Sequence, residues 1–143
     1  MKSIVSLFIM LYFAAMAHAQ TDESLRLISV SSSETDDMLV VDVSMKDLLD
    51  APTWDPKTEA IPLPVTNAVA SVIAWAKSET PEATSFRATK IEINSGTIHS
   101  RIVWYYVISV TEKTDATGTS RDDLFAIVLF DGKVIPRKIE KKE

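Results

Sequence analysis

Beyond residues 1–19 the chain carries one histidine, His99, and it carries no cysteine anywhere. Zinc sites draw on three or four His, Cys or carboxylate ligands. Here only His99 and scattered acids are on offer, and their spacing suggests no ligand set. A Ser-His-Asp arrangement assembles in space, so spacing alone does not argue against it. There is, however, no Gly-x-Ser-x-Gly elbow. The three glycines, Gly96, Gly118 and Gly132, all read as turn residues, which rules out a phosphate-cradling glycine loop. His99 reads as a plain hairpin residue.

Two groups of carboxylates invite a calcium reading. Glu34, Asp36 and Asp37 lie in one polar turn, and Asp115, Asp122 and Asp123 in or beside a second polar loop, 114–123. Neither stretch has the alternating acid pattern and glycine of a calcium loop, so both read as solvated acidic loops. Trp104, Tyr105 and Tyr106 suggest stacking on sugars or bases, but aromatics are also ordinary strand residues. The net charge of −5 over 143 residues gives no electrostatic reason to bind nucleic acid. No catalytic residue, cofactor or metal site emerges from these patterns. The expected class is a non-enzymatic domain. A hydrolase built on His99 and a loop aspartate is kept as the third reading.

The elements that would position these residues follow from periodicity. LRLISV (25–30) and MLVVDVSM (38–45) read as strands. In the second, Leu39, Val41, Val43 and Met45 share one face. KDLLDAPTWDPKTEAIPLP (46–64) holds four prolines and reads as a surface loop with a helical turn at KDLL. Trp54 should plug that loop onto the core. VTNAVASVIAWAKSE (65–79) reads as the one long helix. Val65, Ala68, Val69, Val72, Ile73 and Ala76 form its apolar stripe, Trp75 its border, Thr66 a candidate N-cap and Pro81 its stop. FRATKIEIN (86–94), a turn at Ser95-Gly96, and IHSRIVWYYVISVTEK (98–113) read as a hairpin. LFAIVLF (124–130) leads through Asp131-Gly132, a tight-turn signal, into KVIPRKI as a short edge strand. The order predicts an α+β domain with one helix packed on one antiparallel sheet of about four to six strands.

In RIVWYYVISV (101–110) both alternating sets are apolar, and LFAIVLF behaves the same way. One helix covers one face. Val103, Tyr105 and Val107, beside Phe125, Ile127 and Leu129, would then leave an apolar patch on the order of 600 Å², more than a monomer ordinarily leaves bare. Three covers are open: the N-terminal strands with the Trp54 loop, a second copy packing sheet to sheet, or another protein or apolar ligand. These six residues are therefore the candidate partner surface.

The chain opens with Lys2, an apolar run from Ile4 to Ala17, and Ala17-His18-Ala19, which fits the small-x-small cleavage rule. Residues 1–19 are expected to be a signal peptide cleaved after Ala19. Its loss leaves 124 residues, one domain with a net charge of −6 and no membrane span. No cysteine follows the run, so a lipoprotein is excluded. An exported domain without disulfides depends on its packed core, and a bacterial periplasm or exterior suits it better than a eukaryotic secretory route.

PLPVTNAVASVIAWAK (62–77) resembles the helix start of small exported bacterial proteins of unknown function. RIVWYYVISV and the final hairpin IVLFDGKVIPRK resemble the strands that follow it there. The helix-then-hairpin order with its Asp-Gly-Lys-Val turn also resembles PepSY-like domains, over roughly 60–139. The resemblance implies a PepSY-like or cystatin-like arrangement and a binding or inhibitory role in the cell envelope, and it transfers no catalytic residue. The expected partner is a protein or peptide of the envelope, bound on the sheet face around Tyr105 and Phe125 or on the edge after Lys133. The alternative is a structural or assembly subunit, such as a homodimer.

Overall fold

The computed structural model describes residues 23–32, 37–83, 85–112 and 124–141. In chain order the elements are β1 (Ser24–Ser31), β2 (Met38–Ser44), α1 (Met45–Asp50), α2 (Val65–Glu79), β3 (Phe86–Ile98), β4 (Arg101–Glu112), β5 (Leu124–Leu129), β6 (Val134–Pro136) and β7 (Lys138–Glu140). The strands form two antiparallel sheets, one ordered β1-β2-β7 and one ordered β3-β4-β5-β6. The mixed α+β class holds. The single sheet expected from the sequence is replaced by two, because the C-terminal strand divides. Val134–Pro136 pairs with β5, and after Arg137 the chain joins β2 as β7.

The four-stranded sheet is the middle layer of three. On one face α2 buries Ala68, Val72 and Ala76 against Tyr106, Ile108, Val110, Leu124, Ala126, Val128 and Phe130. On the other face Leu39, Val41, Val43, Leu48 and Ala51 pack on Val103, Phe125, Ile127 and Leu129. The alternation within β4 and β5 follows directly: a strand buried on both sides needs apolar residues at every position. All six residues of β5 are buried.

α2 spans the residues its periodicity predicts. Val65 departs from the predicted stripe, being 41% exposed. Thr66 is not the cap. Pro64 holds that position with extended backbone, and its carbonyl accepts from Asn67 N and Ala68 N, since proline's fixed φ suits a helix start and it has no N–H to lose. At the other end Thr80 closes the helix, its N–H and its hydroxyl both donating to the Ala76 carbonyl. A residue before proline is pushed out of helical geometry, and Pro81 follows.

The β3–β4 hairpin also differs from expectation. Ser95 and Gly96 lie inside β3, with Gly96 opposite Val103, and Ile98 pairs with Arg101. The turn is His99-Ser100, with φ of 47° and 64°. Two successive positive φ values match the twist of a two-residue hairpin, and they outweigh the local preference for glycine there. The second predicted turn holds: Gly132 has φ of 90° and donates to the Leu129 carbonyl, and Asp131 Oδ1 accepts from Lys133 N.

Candidate functional site

The six predicted surface residues do come together. Tyr105 pairs with Leu129 and Val107 with Ile127 across β4 and β5, and Phe125 and Val103 extend the patch along the same face. The patch is internal. Val103, Phe125, Ile127 and Leu129 are buried, and Tyr105 and Val107 are half-buried. This corrects the expectation of an open partner face: β1, β2 and α1 of the same chain supply the cover. The N-terminal half of that expected cover is right, but Trp54 goes to the opposite side. It stands edge-on to Trp104, with ring centroids 5.1 Å apart, and to Phe130 at 5.9 Å, and its Nε1 donates to the Glu59 carbonyl. α1 ends at the rim of the sheet, and the proline-rich segment then runs around to the helix side.

Arg101 explains how α1 is held. Its guanidinium donates to the carbonyls of Leu49 and, at 2.9 Å, Ala51. These are end-of-helix acceptors that would otherwise lack partners. On the helix side Tyr106 does the equivalent, its hydroxyl donating to the Leu63 carbonyl at 2.7 Å.

The aromatic run is not a stacking platform. Tyr106 is fully buried on the helix side, Trp104 packs on Trp54, and Tyr105 points to the other layer. Burial raises the phenol pKa of both tyrosines, so neither is an acid poised near neutrality. His99 is exposed at its turn. Glu34, Asp36, Asp115, Asp122 and Asp123 lie outside the described residues. Among the described residues no cluster of His, Cys, Asp and Glu could hold a metal ion, and no helix is long and apolar enough to cross a membrane.

Two surface features bear on binding. The first is an open cleft of about 420 Å³ where the chain passes from one sheet to the other, lined by Ser24, Asp42, Ser44, Asp47, Lys133 and Lys138 among others. Its two carboxylates are each paired with a cation. Lys133 Nζ lies 2.5 Å from Asp47 Oδ2, and Arg26 bridges Asp42 at 2.9 Å and Glu140 at 2.5 Å. The Arg26 guanidinium holds the Asp42 carboxyl below its ordinary pKa. The edge after Lys133, expected to be open, is open among the described residues but short: β6 pairs only with β5, is three residues long, ends at Pro136, and hands the chain to the other sheet.

The second feature is the outer edge of β3. This strand has 13 residues, and among the described residues no strand pairs with it on the side away from β4. A bulge between Ala88 and Lys90 shifts its register. The shift sets Ile91 and Ile93, opposite Ile108 and Tyr106, on the same face as Phe86 and Ala88. Both isoleucines stay about 45% exposed, at 45% and 44%. Lys90 and Glu92 share the other face, with Nζ and Oε2 3.1 Å apart. Sequence reasoning missed this edge, although a signal existed. TKIEI alternates charge with isoleucine, as an edge strand does, while the runs that become β4 and β5 carry apolar residues on both faces.

Compared with known proteins, the chain matches no family model, no curated protein and no solved structure.

Proposed function

We propose that this chain is a non-enzymatic binding module of the cell envelope, exported to the periplasm or beyond after loss of residues 1–19, which takes a protein or peptide partner on the outer edge of β3. One observation carries the reading: a long strand whose outer side no other strand among the described residues pairs with, and with Ile91 and Ile93 exposed beside it. An added strand binds such an edge through main-chain hydrogen bonds, while alternate side chains supply selectivity. The other open edges among the described residues are shorter, eight residues in β1 and three each in β6 and β7. The apolar face of β4 and β5 is covered from within, and the Asp42 and Asp47 carboxylates of the corner cleft are paired with Arg26 and Lys133. The likeness of 60–139 to PepSY-like domains, with their binding and inhibitory roles, points the same way, as does one long helix laid on an antiparallel sheet in a PepSY-like or cystatin-like manner.

A photo-crosslinking residue placed at Ile93 and, separately, at exposed Val65 of α2 tests the site in the native host. The expected result is one discrete adduct from position 93 and none from position 65. Adducts from 65 alone, or from neither, would remove β3 as the binding edge.

A further inference from the structure

We infer that the strand added to β3 is the β3 of a second copy, running antiparallel across a two-fold axis centred on Ile91. This rests on the reading of the β3 edge as the binding surface. The argument is one of charge and face. About that axis Ile91 meets the partner's Ile91, Lys90 meets the partner's Glu92, and Glu92 meets the partner's Lys90. Lys90 and Glu92 lie on one face of the strand and Ile91 on the other, so apolar meets apolar and each cation meets an anion. The four charges alternate in sign around the axis.

The bulge fits this seam. It consumes one register position at Thr89, so Ile93 comes opposite the partner's Ala88, and both belong to the face that α2 packs on. Arg87 then comes opposite the partner's Asn94, and no like charges are placed directly across from each other.

The same residues select this register over its neighbours. Moving the axis one residue toward the C-terminus sets Glu92 on the partner's Glu92, and moving it one residue the other way sets Lys90 on the partner's Lys90. Like charges directly opposite are destabilising in an antiparallel pair. A charged edge repels an arbitrary strand, but Lys-Ile-Glu is complementary to its own reverse. The charged pairs are exposed, with side-chain exposures of 64% and 45%. They therefore set register and partner choice more than affinity.

The test is the solution mass of the chain, purified as the cell exports it, by light scattering over a roughly hundredfold concentration range. Wild type is expected to rise from monomer toward dimer. Lys90→Glu and Glu92→Lys, each alone, should weaken association at least about tenfold, since each sets like charges opposite at two symmetric places. The double swap Lys90→Glu with Glu92→Lys should restore it. An equimolar mixture of the two single variants should also associate, two acids on one chain meeting two bases on the other. Both positions are exposed, and circular dichroism checks that the fold is kept. A dimer indifferent to the swaps would overturn the proposed seam. A monomer throughout would overturn the second copy as occupant. The binding edge itself would still stand if position 93 crosslinks to a different protein, and would fall with it if position 93 crosslinks to nothing.

Discussion

The two faces of the four-stranded sheet are closed by different means. On one side a single 15-residue helix lies across β4 and β5. Its contact residues are small, Ala68, Val72 and Ala76, so it sits close to Tyr106 and Ile108, and Trp54, Trp104 and Phe130 fill the margin. On the other side three strands and a short helix do the same work with branched residues against branched residues. Each cover is tied down by one polar group of β4: Tyr106 holds the Leu63 carbonyl just before α2, and Arg101 holds the carbonyls at the end of α1. The two covers are equal in kind. Apolar area drives both, and a hydrogen bond to backbone sets where each one lies.

That equality is open to attack. Ile127 and Ile108 are both fully buried, one on each face. Truncating either to alanine should cost about 2–5 kcal/mol in urea unfolding, with the two values within about 1 kcal/mol of each other. A much smaller loss for Ile127→Ala would mean that the strand layer is a loose lid. Next in size, Arg101→Ala should cost about 1–3 kcal/mol, because part-buried carbonyls lose a charged donor. It should also speed hydrogen exchange in α1 while leaving α2 protected. Equal loosening of both helices would show that the tie is not local.

The smallest effect should come from Tyr106→Phe, about 1 kcal/mol at neutral pH for one hydrogen bond. The variant also changes the alkaline limb of stability. Burial raises the Tyr106 phenol above its ordinary value of 10.0. The neutral form is favoured in the folded state, so its contribution is complete below that value and is lost as the pH rises through the folded one. Urea midpoints should therefore fall above about pH 10 in wild type and fall less in Tyr106→Phe. Identical alkaline limbs would assign the loss to Tyr105, whose phenol is raised by the same cause.

Much of the layout was legible before folding. The period of 65–79 marked α2 to the residue, and the two-sided runs at 101–110 and 124–130 marked the middle layer and sorted its faces correctly. The misses have local physical causes. Ser95-Gly96 looks like a turn because glycine is permissive, but register with β4 carries β3 past it to His99-Ser100. Leu27 and Thr89 sit at bulges in β1 and β3, which flip the parity of each strand and so hide which residues share a face. Trp54 was readable as a plug, but its side of the sheet depended on the path of a proline-rich loop. The open edge of β3 is hard to read from sequence because an edge is defined by which strands do not pair beside it, and that depends on the whole sheet order.

Sequence alone determined the class of the protein: an α+β chain with one long amphipathic helix, a doubly apolar pair of strands and no cysteine. Those are properties of residue type and period, which local sterics and hydrophobicity enforce. Tertiary structure alone decided that the second face is closed from within, that the C-terminal strand is split between two sheets, and that β3 is left with an open edge. These depend on contacts between segments as far apart as Leu39 and Ile139. No local preference encodes such a contact; it is settled by which arrangement buries the most apolar surface while leaving the fewest backbone groups without partners.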